Sequence, residues 1–152
     1  MLKAHLAFVR HMADDNGQMA QQGTRLPAST SREVIETIRK GFPAARLDQM
    51  AQLLAVERPI FLALVGLSER TLQRKTQTAA RLSPAVSDRL ARMDRIILLA
   101  TEVFGAKEKA VQWLKRPSRA LGAEMPLQLL DTDTGTQRVE RELRQIQYSF
   151  VY

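Results

Sequence analysis

The stretch Pro59-Ile60-Phe61-Leu62-Ala63-Leu64-Val65-Gly66-Leu67-Ser68-Glu69-Arg70-Thr71-Leu72-Gln73-Arg74-Lys75-Thr76-Gln77 decides the fold. Proline lacks an amide hydrogen, which is no loss in the first turn of a helix, so Pro59 opens a helix carrying Phe61, Leu62, Leu64 and Val65. Gly66 stands where helices end in a left-handed residue. Ser68 then caps a further helix, Glu69 to about Ala80, in which Leu72, Thr76 and Ala79 face inward. A helix, a Gly-Leu-Ser turn and a second helix outline a helix-turn-helix. Caps and turn residues of this kind also join helices in any bundle, so the outward face has to decide. Glu69, Arg70, Gln73, Arg74 and Gln77 point away from Leu72 and Thr76, with Lys75 and Arg81 at the flanks. Arg and Gln read guanine and adenine edges in the major groove, and Lys and Arg grip phosphates. A merely solvated face alternates in sign, whereas this one sets Arg70, Arg74, Lys75 and Arg81 against Glu69 alone. The predicted DNA contacts are Ser68, Arg70, Gln73, Arg74, Lys75 and Gln77.

The neighbouring segments read as helices too. Upstream, Leu47, Met50, Leu53 and Leu54 share one helical face. Before them, Thr30 or Ser31 caps a helix with Glu33 in its first turn and Val34, Ile35 and Ile38 on its apolar face; Gly41 and Pro43 stop it. Leu2, Leu6 and Val9 form a short stripe at the start, followed by a polar linker from Gln18 to Ser29. Downstream, Ser83 caps and Pro84 opens the longest helix, where Val86, Leu90, Met93, Ile97, Ala100 and Phe104 recur at helical spacing. Ile96, Leu99 and Val103 widen that face until it needs cover on two sides, as in a homodimer or in a central helix of a monomer. Gly105 ends it, and Lys107 to Leu114 form another helix.

Asp131 and Asp133 flank Thr132 in a turn, which predicts helix capping around Thr134. Val139, Leu143 and Ile146 then line one helical stripe, with Glu140 and Arg144 as a favourable pair one turn apart. The chain closes on Tyr148-Ser149-Phe150-Val151-Tyr152, which holds three of the eight aromatic residues. Termini normally fray, so an aromatic terminus packs either on its own domain or on something else.

Composition narrows the function classes. The chain has 152 residues, 45% hydrophobic, enough for one domain or for two small helical units sharing a core. There is no cysteine, hence no disulfide framework or thiolate chemistry. The two histidines, His5 and His11, do not share a helical face as paired metal ligands would. No nucleophile, phosphate loop or paired-carboxylate motif assembles, which predicts a binding protein without a cofactor and not an enzyme. No secretory leader opens the sequence and no apolar run approaches the roughly 18 residues that span a bilayer, so a cytoplasmic protein with no membrane contact is expected. The net charge is +7, and the largest excess, 9 basic against 5 acidic groups, lies in residues 46–100. A polyanionic partner fits that distribution.

The carboxy-terminal features, in order, are Trp113-Leu114, Pro117, Ala120-Leu121-Gly122, Pro126-Leu127, Leu130, Thr132, Gly135, Val139, Leu143 and Ile146. As an ordered set over about the last 50 residues, they resemble the toxin-binding domain of the Xre/MbcA/ParS antitoxin family. That family usually closes with an aromatic or His, then Gly and a hydrophobic pair, whereas Ser149-Phe150 follow Tyr148 here. The resemblance implies an all-α fold: an Xre-like helix-turn-helix region and a small carboxy-terminal helical toxin-binding domain. The expected division is 1–29, helix and linker; 30–82, helix-turn-helix; 83–105, connecting or dimerisation helix; 106–152, toxin-binding domain. It further implies an antitoxin that neutralises a cognate RES-domain, NAD-consuming toxin and represses its own operon at operator DNA. The toxin contacts are then expected at Arg144, Tyr148, Ser149, Phe150, Val151 and Tyr152. Two other classes stay open: a helix-turn-helix regulator with no toxin partner, and a structural adaptor whose basic helix is only solvated.

Overall fold

Seven α-helices account for most of residues 31–149, the part of the chain that the structure, a computed structural model, describes. They are α1 (Ser31–Lys40), α2 (Ala45–Leu54), α3 (Arg58–Val65), α4 (Glu69–Gln77), α5 (Pro84–Phe104), α6 (Lys107–Leu114) and α7 (Asp133–Ser149). Two 3-10 turns, Arg119–Leu121 and Gln128–Asp131, lie between α6 and α7. The stripe expected in residues 2–12, the linker after it and the capping position Thr30 lie outside the described residues.

Local chemistry sets the boundaries. Ser83 accepts the Val86 amide, Pro84 needs no hydrogen-bond partner for its nitrogen, and Gly105 closes α5 in the left-handed region at φ 72°. Ser68 accepts the Thr71 amide to open α4. Before α7 the capping residue is Thr132, not Thr134 as expected: its hydroxyl accepts the Gly135 amide at 3.1 Å and its carbonyl accepts the Thr136 amide. Thr134 already lies inside the helix, one residue after Asp133 begins it.

A single core joins all of this. Helix α5 runs through its centre and packs against α1, α3, α6, α7 and the 128–131 turn. Leu90, Met93, Ile96 and Ala100 are fully enclosed among Leu47, Met50, Phe61, Val65, Leu114, Leu130, Val139 and Leu143. The broad apolar face of α5 is thus covered within one chain. Its breadth carries no argument for a second copy, because α6 and α7 fold back over the side that looked open in sequence.

One charged contact crosses the core. Arg46 on α2 reaches Asp94 on α5 at 2.5 Å, and both are almost fully buried. Burial pushes the Asp94 carboxyl up to about 6, with the Arg46 guanidinium pulling the other way. The two residues lie 48 positions apart, so the contact fixes the register of α2 against α5.

Candidate nucleic-acid and partner surfaces

The turn between α3 and α4 is built so that α4 is held at one angle. Gly66 adopts φ 69°; its amide bonds the Ala63 carbonyl, and the Leu67 amide bonds the Leu62 carbonyl. That pair of bonds is the Schellman closure, which needs a residue at positive φ. A side chain at Gly66 would also collide with Arg89, whose guanidinium fills the Cβ position and bonds the Val65 carbonyl at 2.7 Å. The positive φ favours glycine, and any side chain there would have to displace the Arg89 guanidinium.

Helix α4 is anchored more sparingly than its sequence suggests. Leu72 alone is buried; Thr76 and Ala79, expected to face inward, are exposed. The Thr76 hydroxyl bonds the Leu72 carbonyl one turn back, so it needs no buried partner. Ala79 lies past the helix end at φ 51°, where the chain has already turned away.

The exposed face of α4 brings Arg70, Gln73, Arg74 and Gln77 together with Thr71 around a shallow concavity of about 330 Å³. Glu69, the one acid of the helix, is drawn aside to Arg58 at 3.3 Å, and Arg58 also meets Asp48 at 3.5 Å. Two of the expected DNA contacts stand apart from this concavity. The Ser68 hydroxyl is engaged as the helix cap, and the half-buried Lys75 donates to the Arg81 carbonyl at 2.8 Å. What remains is a polar and cationic face, not a surface of alternating sign.

The second surface is the end of α7. Val139 and Leu143 are fully buried and Ile146 half-buried, so the stripe holds the helix on the core. Arg144 lies beside Glu140 at 3.6 Å, and Glu140 meets Arg95 of α5 at 3.3 Å. Helix α7 continues through Tyr148 and Ser149, which form its last turn instead of starting a separate tail; the Ser149 hydroxyl bonds the Gln145 carbonyl. Tyr148 is 66% exposed, the most exposed large hydrophobic side chain among the described residues. Its own domain therefore does not cover it. Phe150, Val151 and Tyr152 lie outside the described residues.

An apolar groove of about 620 Å³ went unpredicted. Val56, Ile60 and Leu64 form one wall, and Met125 and Leu127 the other. Ile60, 55% exposed, is out of phase with the buried Phe61, Leu62 and Val65, and that mismatch was the available sequence signal. The pairing of residues 56–64 with 125–127 had none. Among the described residues no group of acidic or histidine side chains is placed to hold a metal, and no helix is long and apolar enough to cross a membrane.

Known proteins resemble the chain in both halves. Residues 33–93 match the model of the antitoxin Xre-like helix-turn-helix domain, and residues 99–148 that of the antitoxin Xre/MbcA/ParS C-terminal toxin-binding domain. Antitoxin Xre of Yersinia enterocolitica is 32% identical over 115 residues, covering 75% of this chain and 78% of that protein. Antitoxin Xre of Pseudomonas putida is 35% identical over 117 residues, with 75% and 70% covered. The Prs ADP-ribosylating antitoxin of a Sphingobium species is 30% identical over 122 residues, with 74% and 77% covered.

Proposed function

The chain belongs to the Xre/MbcA/ParS antitoxin family, and from that premise we propose that it silences a cognate RES-domain toxin by direct contact and represses its own operon through α4. Toxin binding is assigned to the carboxy-terminal part, with Arg144, Tyr148 and the terminal residues Ser149, Phe150, Val151 and Tyr152 entering or covering an NAD-binding cleft. The observation that carries this reading is Tyr148. A large aromatic side chain left open on the last turn of an otherwise well-packed helix suits an interface anchor, because aromatics bury much area while losing few rotamers. The word ADP-ribosylating in the Sphingobium relative's name favours toxin chemistry of that class.

DNA binding is assigned to Arg70, Gln73, Arg74 and Gln77 as readers, with Ser68 and Lys75 placing the helix. Two copies of the chain would read paired half-sites, the arrangement helix-turn-helix repressors use; light scattering on the isolated protein tests that pairing. The deciding experiment expresses the neighbouring reading frame with and without this chain. Expression alone should deplete cellular NAD and arrest growth, and co-expression should restore both and yield a complex that co-purifies. Unchanged NAD would remove the RES assignment. Restored growth without a complex would remove direct contact.

A further inference from the structure

The reading face of α4 accounts for part of the molecule's positive charge. A second group of cations lies where the carboxy-terminal end of α1 meets the segment leaving α4. Arg39 and Lys40 occupy the last turn of α1, both exposed. Gly41 follows at φ 83° and comes so close to the Leu82 carbonyl that a side chain would not fit there. The Arg81 guanidinium donates to the Gly41 carbonyl at 2.8 Å, and the Leu82 amide donates to the Phe42 carbonyl at 2.8 Å. Lys75 on α4 in turn donates to the Arg81 carbonyl at 2.8 Å. These bonds tie the end of α1 to the segment leaving α4, so Arg39 and Lys40 directly precede the Gly41 carbonyl that Arg81 grips, and Lys75 holds Arg81 from α4.

The partners of these cations matter more than their number. Lys75 and Arg81 bond backbone carbonyls, which hold an ammonium or guanidinium in place without cancelling its charge. Among the described residues none of the four is in an ion pair. The acids closest in sequence are engaged elsewhere: Glu36 with Arg32, Glu69 with Arg58 and Asp88 with Arg92. Favourable interaction with the end of α1 explains why basic residues are tolerated there, but not why Arg81 and Lys75 join them from another element. Four cations on joined segments, none of them in an ion pair, suit a polyanion, and ordering two of them beforehand lowers the entropy lost on binding.

We propose that Arg39 and Lys40, with Arg81 and Lys75, form a phosphate-gripping shoulder that seats the DNA backbone next to the bases read by α4. This rests on the assignment of α4 to DNA. It adds a contact that carries no sequence information and sets how deeply the reading helix sits.

The test uses the full chain in fluorescence anisotropy over a salt series, with a duplex from the region upstream of its own gene and a scrambled duplex of equal length. Arg39→Gln/Lys40→Gln should weaken binding to both duplexes by the same factor and lower the slope of log K against log salt by about 1 to 2, roughly 0.9 for each phosphate left without its cation. The charge-keeping exchange Arg39→Lys/Lys40→Arg should retain the wild-type slope. Wild-type binding with an unchanged slope in the Gln variant overturns the shoulder and leaves α4 as the reader. A loss confined to the upstream duplex overturns it as well, since the shoulder would then be reading bases. If the wild type binds neither duplex, the DNA assignment fails and takes the shoulder with it.

Discussion

Ala55 closes α2 at φ 48°, with the Val56 amide bonding the Ala51 carbonyl, so a residue carrying a Cβ occupies a position that favours glycine. Lys115, the residue just past α6, compensates, its ammonium bonding the Leu54 and Ala55 carbonyls at 3.2 and 2.8 Å. Ala55→Gly relieves the strain and keeps the Lys115 bonds, and it should raise stability by about 1 kcal/mol in urea denaturation; a loss of stability would show that the backbone there is not strained. Asp94 gives a pH-dependent counterpart. Its folded pKa, about 6, lies above the ordinary carboxylate value, so the native state binds the proton more tightly than the unfolded chain does. The group therefore favours the fold below about pH 4 and loses that contribution as pH rises through about 6. Asp94→Asn removes this titration, and the wild type should lose up to about 3 kcal/mol relative to the variant between pH 4 and pH 7.5. A stability difference that stays constant with pH would mean that Asp94 remains ionised throughout.

At the scale of the element, α4 is a two-turn helix held by Leu72 and two caps, with its polar face free. The joint change Arg70→Ala/Arg74→Ala should cost about 1–3 kcal/mol of operator affinity per base-reading side chain, and sequence preference should go with it. Toxin neutralisation should survive, since neither side chain belongs to α7. Band-shift titration at matched salt checks the first point and a growth-rescue assay the second. Tight and selective binding by this variant would take the reading role away from α4. Gly66 predicts the opposite pattern. Gly66→Ala puts a Cβ on a left-handed backbone and displaces Arg89 from the Val65 carbonyl, so folding itself should weaken by about 1–2 kcal/mol, with DNA affinity falling alongside.

For the molecule as a whole, the shared core makes the two functional regions one folded unit, yet the proposed toxin contact extends past the last buried residues. Deleting Ser149 to Tyr152 removes an exposed residue and the three after it and leaves Val139, Leu143 and Ile146 on the core. Circular dichroism and the melting temperature should match the wild type, while protection against the toxin drops sharply. Full protection by the shortened chain would place inhibition elsewhere on the carboxy-terminal part. The sequence by itself determined the helix boundaries around Ser68, Gly66, Ser83, Pro84 and Gly105, because caps and left-handed closures are chemistry among residues a few positions apart. It also determined the phase of α5 and α7 and the cationic side of α4, since helical spacing alone decides which residues share a face. Only the tertiary structure decided what covers the broad face of α5, that Asp94 meets Arg46, that residues 56–64 and 125–127 share a groove, and that Arg81 bonds the end of α1. Each of these joins residues distant in sequence, and only the packing of whole helices sets such contacts.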